Sequence, residues 1–265
     1  MANRCDFACA AIAFLTVVSA ALSAGAEGTA ICADGACGFN VPKFDLEEGF
    51  KPLFNGKDFS GWKGATTNGH FRIDPDGTLV CVPRTGWKNF PLNLWTERKY
   101  ADFVLRFRFR IAPNVNNGIG IRAPEGQYVT QSGLEIQMLE DESTDYFYTK
   151  RKLKPYQYNC SVYGVLPAKR QSERKGYLRP QGEWNEEEIR ANGSYLTVIL
   201  NGETVVSADL AKIDADGKTP DGRKHPGLRA KDGHIHICWH DGEVAFRDIR
   251  IKELVRSPRG EASAD

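Results

Sequence analysis

The stretch DFVLRFRFRI, residues 102–111, alternates without a break: Phe103, Leu105, Phe107, Phe109 and Ile111 fall on one side, and Val104, Arg106, Arg108 and Arg110 on the other. A period of two gives one apolar face and one face of guanidiniums, which suits a half-buried strand and not a helix. Shorter pieces repeat the signal. NNGIGIRA directs Ile119 and Ile121 inward, and YLTVILNGETVVSADL reads as two strands joined through Asn201-Gly202, a strong hairpin dipeptide. GHIHICWH and VAFRDIRIKEL read as a closing pair joined through Asp241-Gly242. Helical periodicity is weak throughout, and NEEEIRANG offers one helical turn at most. Many short strands without βαβ spacing predict an all-β sandwich of two antiparallel sheets in one domain.

The N-terminus has another character. Arg4 precedes an apolar run from Phe7 to Leu22, and Ala24-Gly25-Ala26 supplies small residues at a cleavage point, the layout of a secretory signal peptide. The expected organisation is a leader over 1–26, a tail over 27–46, the sandwich over 47–256 and a second tail over 257–265. Localisation is then periplasmic or secreted, and no other segment is long and apolar enough to make an integral membrane protein. Lys and Arg number 35 against 34 Asp and Glu, so no charge excess points to nucleic acid. Cys5 and Cys9 leave with the leader. Of Cys32, Cys37, Cys81, Cys160 and Cys238, an odd set, Cys32 and Cys37 bracket a turn-like CADGAC and either pair or stay free.

GLEIQMLEDE places Leu134, Ile136 and Met138 on one face, and Glu135, Gln137, Leu139 and Asp141 on the other. If Ile119 and Ile121 share the first face, Arg122 leaves its strand beside Glu135 and Gln137. That is either a salt bridge on a solvated sheet or part of a site. HIHICWHDG sets His234, His236, Cys238 and His240 on one face, as a metal pair or, for His240, as an acid or base at a pocket rim. There is no Gly-x-Ser-x-Gly elbow, phosphate-cradling loop or His-Glu-x-x-His.

Six segments in order, FKPLFNGKDFSGWKG, NNGIGIRA, GLEIQMLEDE, SVYGVLPAKR, RPQGEWNEEEIRANG and HDGEVAFRDIRIKEL, resemble the 3-keto-disaccharide hydrolase family over roughly Phe50 to Leu254. The resemblance implies a concanavalin A-like jelly roll whose concave sheet binds a sugar. It places Arg122, Glu135, Gln137, Asp141 and His240 on the family's polar positions, and Asn116, Tyr163, Lys169, Trp184 and Arg247 on further ones. Two positions depart from it: Cys238 stands where the family often has Gln, and Asp248 where it has Asn.

The implied substrate is a 3-keto-glycoside. A ketone at C3 acidifies the C2 hydrogen, a base removes that proton, the C1 oxygen leaves by β-elimination, and added water completes a net hydrolysis. On this reading His240 or Glu135 transfers protons, Arg122 holds the enolate or hydroxyls, and Asn116, Gln137, Asp141, Tyr163, Lys169 and Arg247 bind substrate. No cofactor is required, and a divalent cation such as calcium is an open addition. The alternative is a non-catalytic, lectin-like carbohydrate-binding module.

Overall fold

The structure is a computed structural model that describes residues 47–83, 92–140, 153–170, 176–213, 219–240 and 242–255. The leader, the Cys32–Cys37 turn, Asp141, Asp241 and the C-terminal tail lie outside them. The described residues all belong to one compact unit, Phe39–Asp265.

Thirteen strands among the described residues form two antiparallel sheets. In the larger, β11 (Glu203–Asp209), β10 (Tyr195–Leu200), β9 (Asn185–Asn192), β6 (Phe103–Ile111), β13 (Val244–Glu253), β4 (Leu79–Cys81) and β3 (Phe71–Ile73) follow one another, and β1 (Lys51–Pro52) also pairs with β13. The smaller runs β2 (Trp62–Gly64), β5 (Leu94–Thr96), β12 (His234–Ile237), β7 (Asn116–Ala123) and β8 (Leu134–Leu139). The architecture is a jelly-roll β-sandwich, as the alternation predicts.

The core lies between the sheets. From β6 and β13, Phe107 meets Phe109 and Phe246 at centroid separations of 6.1 Å. Ile119, Ile136 and Val162 face them from the other layer, all buried. Each such side chain contributes about 1.5–3 kcal/mol on burial. The outer face of the large sheet carries charges that are paired: Arg106 bonds both Glu47 and Glu188, Arg250 reaches Glu47 at 3.3 Å, and Arg108 lies 3.5 Å from Asp248.

The β10–β11 hairpin turns through Asn201 (φ 51°) and Gly202 (φ 89°), the left-handed pair that a two-residue hairpin requires. Two expectations are corrected. NEEEIRAN is strand β9, paired on both sides, and not a helical turn. GHIHICWH and VAFRDIRIKEL do not pair: β12 lies between β5 and β7 in the small sheet, whereas β13 lies between β6 and β4 in the large one. The two strands therefore lie in different layers.

Candidate active site

Glu135 and Gln137 stand on the outer face of the small sheet, away from the core. Both are nevertheless buried, at 5% and 3% exposure. The register explains how. Across β7, Gln137 is opposite Gly118 and Glu135 opposite Gly120, so two glycines alternate along the face beside them. A Cβ on Gly118 would lie 2.3 Å from Glu135 Oε1, so the carboxyl rests in the dimple that Gly118 leaves. A Cβ on Gly120 would lie 2.6 Å from Val129, the first residue of the short helix α1 (Val129–Ser132).

No described residue donates a hydrogen bond to the Glu135 carboxyl, and burial alone pushes its pKa up to about 8. Burial thus favours the neutral carboxyl, which can donate a hydrogen bond. Gln137 is held differently, its Nε2 donating to Asn116 Oδ1 at 3.0 Å. Cys238 lies across Gly118, where its N–H donates to the Gly118 carbonyl at 2.9 Å. Burial, then Glu135 and Cys81, push its thiol well above the ordinary range, so it offers no thiolate. Cys81, Cys160 and Cys238 are free thiols.

Residues 160–163 run along the open edge of β8. Cys160 N–H bonds the Gln137 carbonyl at 2.7 Å, and Tyr163 N–H the Glu135 carbonyl at 2.9 Å. Tyr163 is half-buried beside Glu135, with its hydroxyl accepting from Gln157 Nε2 at 3.3 Å and its ring edge-on to Tyr156. His240 is half-buried, beyond the C-terminal end of β12, on the side where β7 begins at Asn116. The preceding residue fixes that exit: Trp239 stacks on His70 at 4.2 Å and donates from Nε1 to the Val82 carbonyl at 2.9 Å.

Asn116, Glu135, Gln137 and Tyr163 thus share one region, and His240 leaves the sheet at its Asn116 end. Three expected residues do not join them. Arg122 has φ 53° where the β7–β12 register slips by one residue, a bulge that turns it off the Glu135 face. Its Nη2 bonds the carbonyl of Gly193 in the β9–β10 turn, whose N–H bonds Asp102 Oδ1 at 2.7 Å. Arg247 is on the outer face of the large sheet, with its guanidinium 4.0 Å over the Trp184 ring. Lys169 is exposed and its N–H bonds Val205 of β11, at the far edge of the large sheet.

Sequence reasoning placed His236 on this face only as one of a metal pair and missed how deeply it sinks into the sheet. His236 is fully buried, pairs in register with Trp95 and Gly120, and among the described residues neither ring nitrogen makes a hydrogen bond of good geometry. Burial, then His234, lower its pKa to about 3, with a small opposing effect from the Ala123 and Pro124 backbone. The signal was present in NNGIGIRA: glycines two apart on one strand face leave room for neighbouring side chains to sink into the sheet. Among the described residues, no three His, Cys, Asp or Glu side chains group as a metal site, and no helix is long and apolar enough to cross a membrane.

Comparison with known proteins gives this face a context. A sequence profile of the 3-keto-alpha-glucoside-1,2-lyase-like domain matches residues 49–252. A 3-keto-disaccharide hydrolase of Bacteroides thetaiotaomicron is 25% identical over 242 residues, covering 78% of this chain and 79% of that protein. A crystal structure from Parabacteroides distasonis, described as a "putative glycosyl hydrolase", superposes with a TM-score of 0.62 at 27% identity, covering 77% of this chain and 99% of its own. A second from the same organism, at 23% identity and a TM-score of 0.63, shares the fold.

Proposed function

Because the chain belongs to the 3-keto-alpha-glucoside-1,2-lyase-like domain family, we propose that it cleaves 3-keto-glycosides on the outer face of the small sheet. The observation that carries this reading is the buried carboxyl of Glu135, sunk in the Gly118 dimple beside the Gln137–Asn116 amide pair, where burial favours its neutral form.

The chemistry asks for a donor at the developing oxyanion. Removal of the C2 proton leaves an enolate on the C3 ketone oxygen. The C1–O bond then breaks, a C1–C2 double bond forms, and the leaving oxygen takes a proton. Water adds its hydroxyl to C1 and its proton to C2, which gives a net hydrolysis. A carboxyl still protonated at pH 7 donates to the enolate or to the leaving oxygen, work that an ionised carboxylate cannot do. His240 is the base at the rim, and Asn116, Gln137 and Tyr163 hold hydroxyls. Neither step uses Arg122. The leader pattern supports a place outside the cytoplasm, where oligosaccharides are met.

The test is turnover of a 3-keto-disaccharide and its unoxidised parent, with and without chelator. Wild type should cleave the keto-sugar alone. Glu135→Gln should lose about 100-fold or more in kcat with its near-ultraviolet circular dichroism unchanged. Binding without turnover would make the protein a lectin-like module, and full activity of the variant would remove Glu135 from the mechanism.

A further inference from the structure

The outer face of the small sheet continues beyond the Glu135 dimple. A row in register crosses it: Lys63 on β2, Trp95 on β5, His236 on β12, Gly120 on β7 and Glu135 on β8. Trp95 is buried, its ring lies over Gly64, and its centroid is 5.8 Å from that of His236. Among the described residues, Trp95 Nε1 and both His236 ring nitrogens are buried without a hydrogen bond of good geometry, the Ala123 and Pro124 backbone being the polar groups nearest in effect to the imidazole. Buried polar groups in folded proteins are almost always satisfied, so three such atoms on adjacent strands of one face call for a missing partner.

Val129 is the side chain over the gap in this row. It sits where a Gly120 Cβ would lie, and that same point is 2.9 Å from His236 Cβ. The segment that carries it is lightly held at its start, where Glu125 reaches Lys63 at 3.7 Å with both side chains about half exposed. Its end is fixed, since Gly133 packs directly on Gly227.

We propose that the strip of sheet floor between Trp95 and Glu135, beneath α1, is a second hydroxyl-binding subsite that takes the other sugar ring of the substrate, with Val129 as the stopper that ring displaces. The proposal rests on the carbohydrate reading of the Glu135 region. Held neutral by burial, the His236 imidazole offers one donor and one acceptor, the complement of a sugar hydroxyl, and Trp95 Nε1 adds a second donor. The indole supplies an apolar face to go with them.

The experiment compares a one-ring substrate, methyl 3-keto-glucoside, with a 3-keto-disaccharide. His236→Leu removes the polar atoms at similar volume, Trp95→Phe removes the indole N–H together with part of its apolar face, and Val129→Ala removes the stopper. His236→Leu should raise KM for the disaccharide at least tenfold more than for the methyl glycoside, and Trp95→Phe should do the same about threefold. Val129→Ala should lower KM for the disaccharide. Equal effects on both substrates, or none on either, overturn the subsite, and Trp95→Phe decides if His236→Leu does not fold. If wild type cleaves neither substrate, the reaction assignment fails separately. Calorimetric titration with unoxidised disaccharide and methyl glucoside then reads the subsite, and His236→Leu must weaken the disaccharide selectively for it to stand.

Discussion

Replacing Glu187 by Gln should turn a protein that loses stability as pH rises into one that loses much less. Glu187 is on β9, opposite Phe107 and Leu200, and so points between the two sheets, where it is fully buried. The Cys160 thiol donates weakly to Oε2 at 3.7 Å, and Oε1 has no partner. Burial pushes the carboxyl up to about 8, against a smaller opposing effect of the Cys160 bond. The folded pKa is raised, so this group's contribution is fully present below the unfolded value near 4.5 and is lost as pH climbs through 8. At about 1.4 kcal/mol per pH unit, the loss approaches 5 kcal/mol above pH 8 and is about 3 kcal/mol at pH 7. Gln mimics the protonated acid at every pH but buries an extra N–H, a constant penalty of about 1–3 kcal/mol. The variant should therefore be less stable than wild type at pH 5 and more stable at pH 9, with the curves crossing between. Urea denaturation at pH 5, 7 and 9 measures this. A wild-type-minus-variant difference that stays flat across that range would falsify the claim that Glu187 is held protonated. Glu135, raised to the same value, leaves a residual slope in Glu187→Gln that the double Gln variant reduces further.

Two further substitutions test the geometry of the site. Gly118→Ala places a methyl 2.3 Å from Glu135 Oε1 and must displace the carboxyl. Turnover of a 3-keto-disaccharide should fall by about 100-fold with little change in unfolding midpoint, and retained turnover would show that the dimple is not where Glu135 acts. Arg122→Met removes the donor to the Gly193 carbonyl and should cost about 1–3 kcal/mol of stability without changing KM. A raised KM at unchanged stability would return Arg122 to the substrate.

What the sequence revealed depended on how local the determinant was. Strand β6 and the Asn201-Gly202 hairpin were readable because alternation and a left-handed turn are properties of adjacent residues. Placing β12 and β13 in different sheets was not. A turn dipeptide reports that the chain reverses, but both strands carry apolar residues that either layer accepts, and long-range pairing decides between them. Arg122 failed for a related reason: one extra residue in β7 inverts every inference drawn from a period of two beyond it. Arg247 matched a family position, yet its role in this fold is to cover Trp184 on the other layer. Glu135 and Gln137 share one outer face, as read, because their alternation with Leu134, Ile136 and Met138 stays intact through β8.

The two outer faces of the sandwich also differ in how their polar groups are matched. On the large sheet Arg106, Arg108 and Arg250 each meet a carboxylate, and Trp184 lies beneath Arg247 and Arg110. Among the described residues of that face, Arg247 Nε is the buried atom left without a hydrogen bond, beneath its contact with Trp184. On the small sheet, among the described residues, Trp95 Nε1 and both His236 ring nitrogens are buried without a geometric hydrogen bond. Each such group costs the folded state about 1–3 kcal/mol, so three of them are a large fraction of the stability of a domain this size. Apolar residues at the same positions would remove that cost. A penalty of this kind concentrates at functional sites, where an incoming ligand supplies the missing partners. Three orphaned atoms on the small sheet against one on the large, more than the acidity of GLEIQMLEDE itself, are what favour the small sheet in the proposed function.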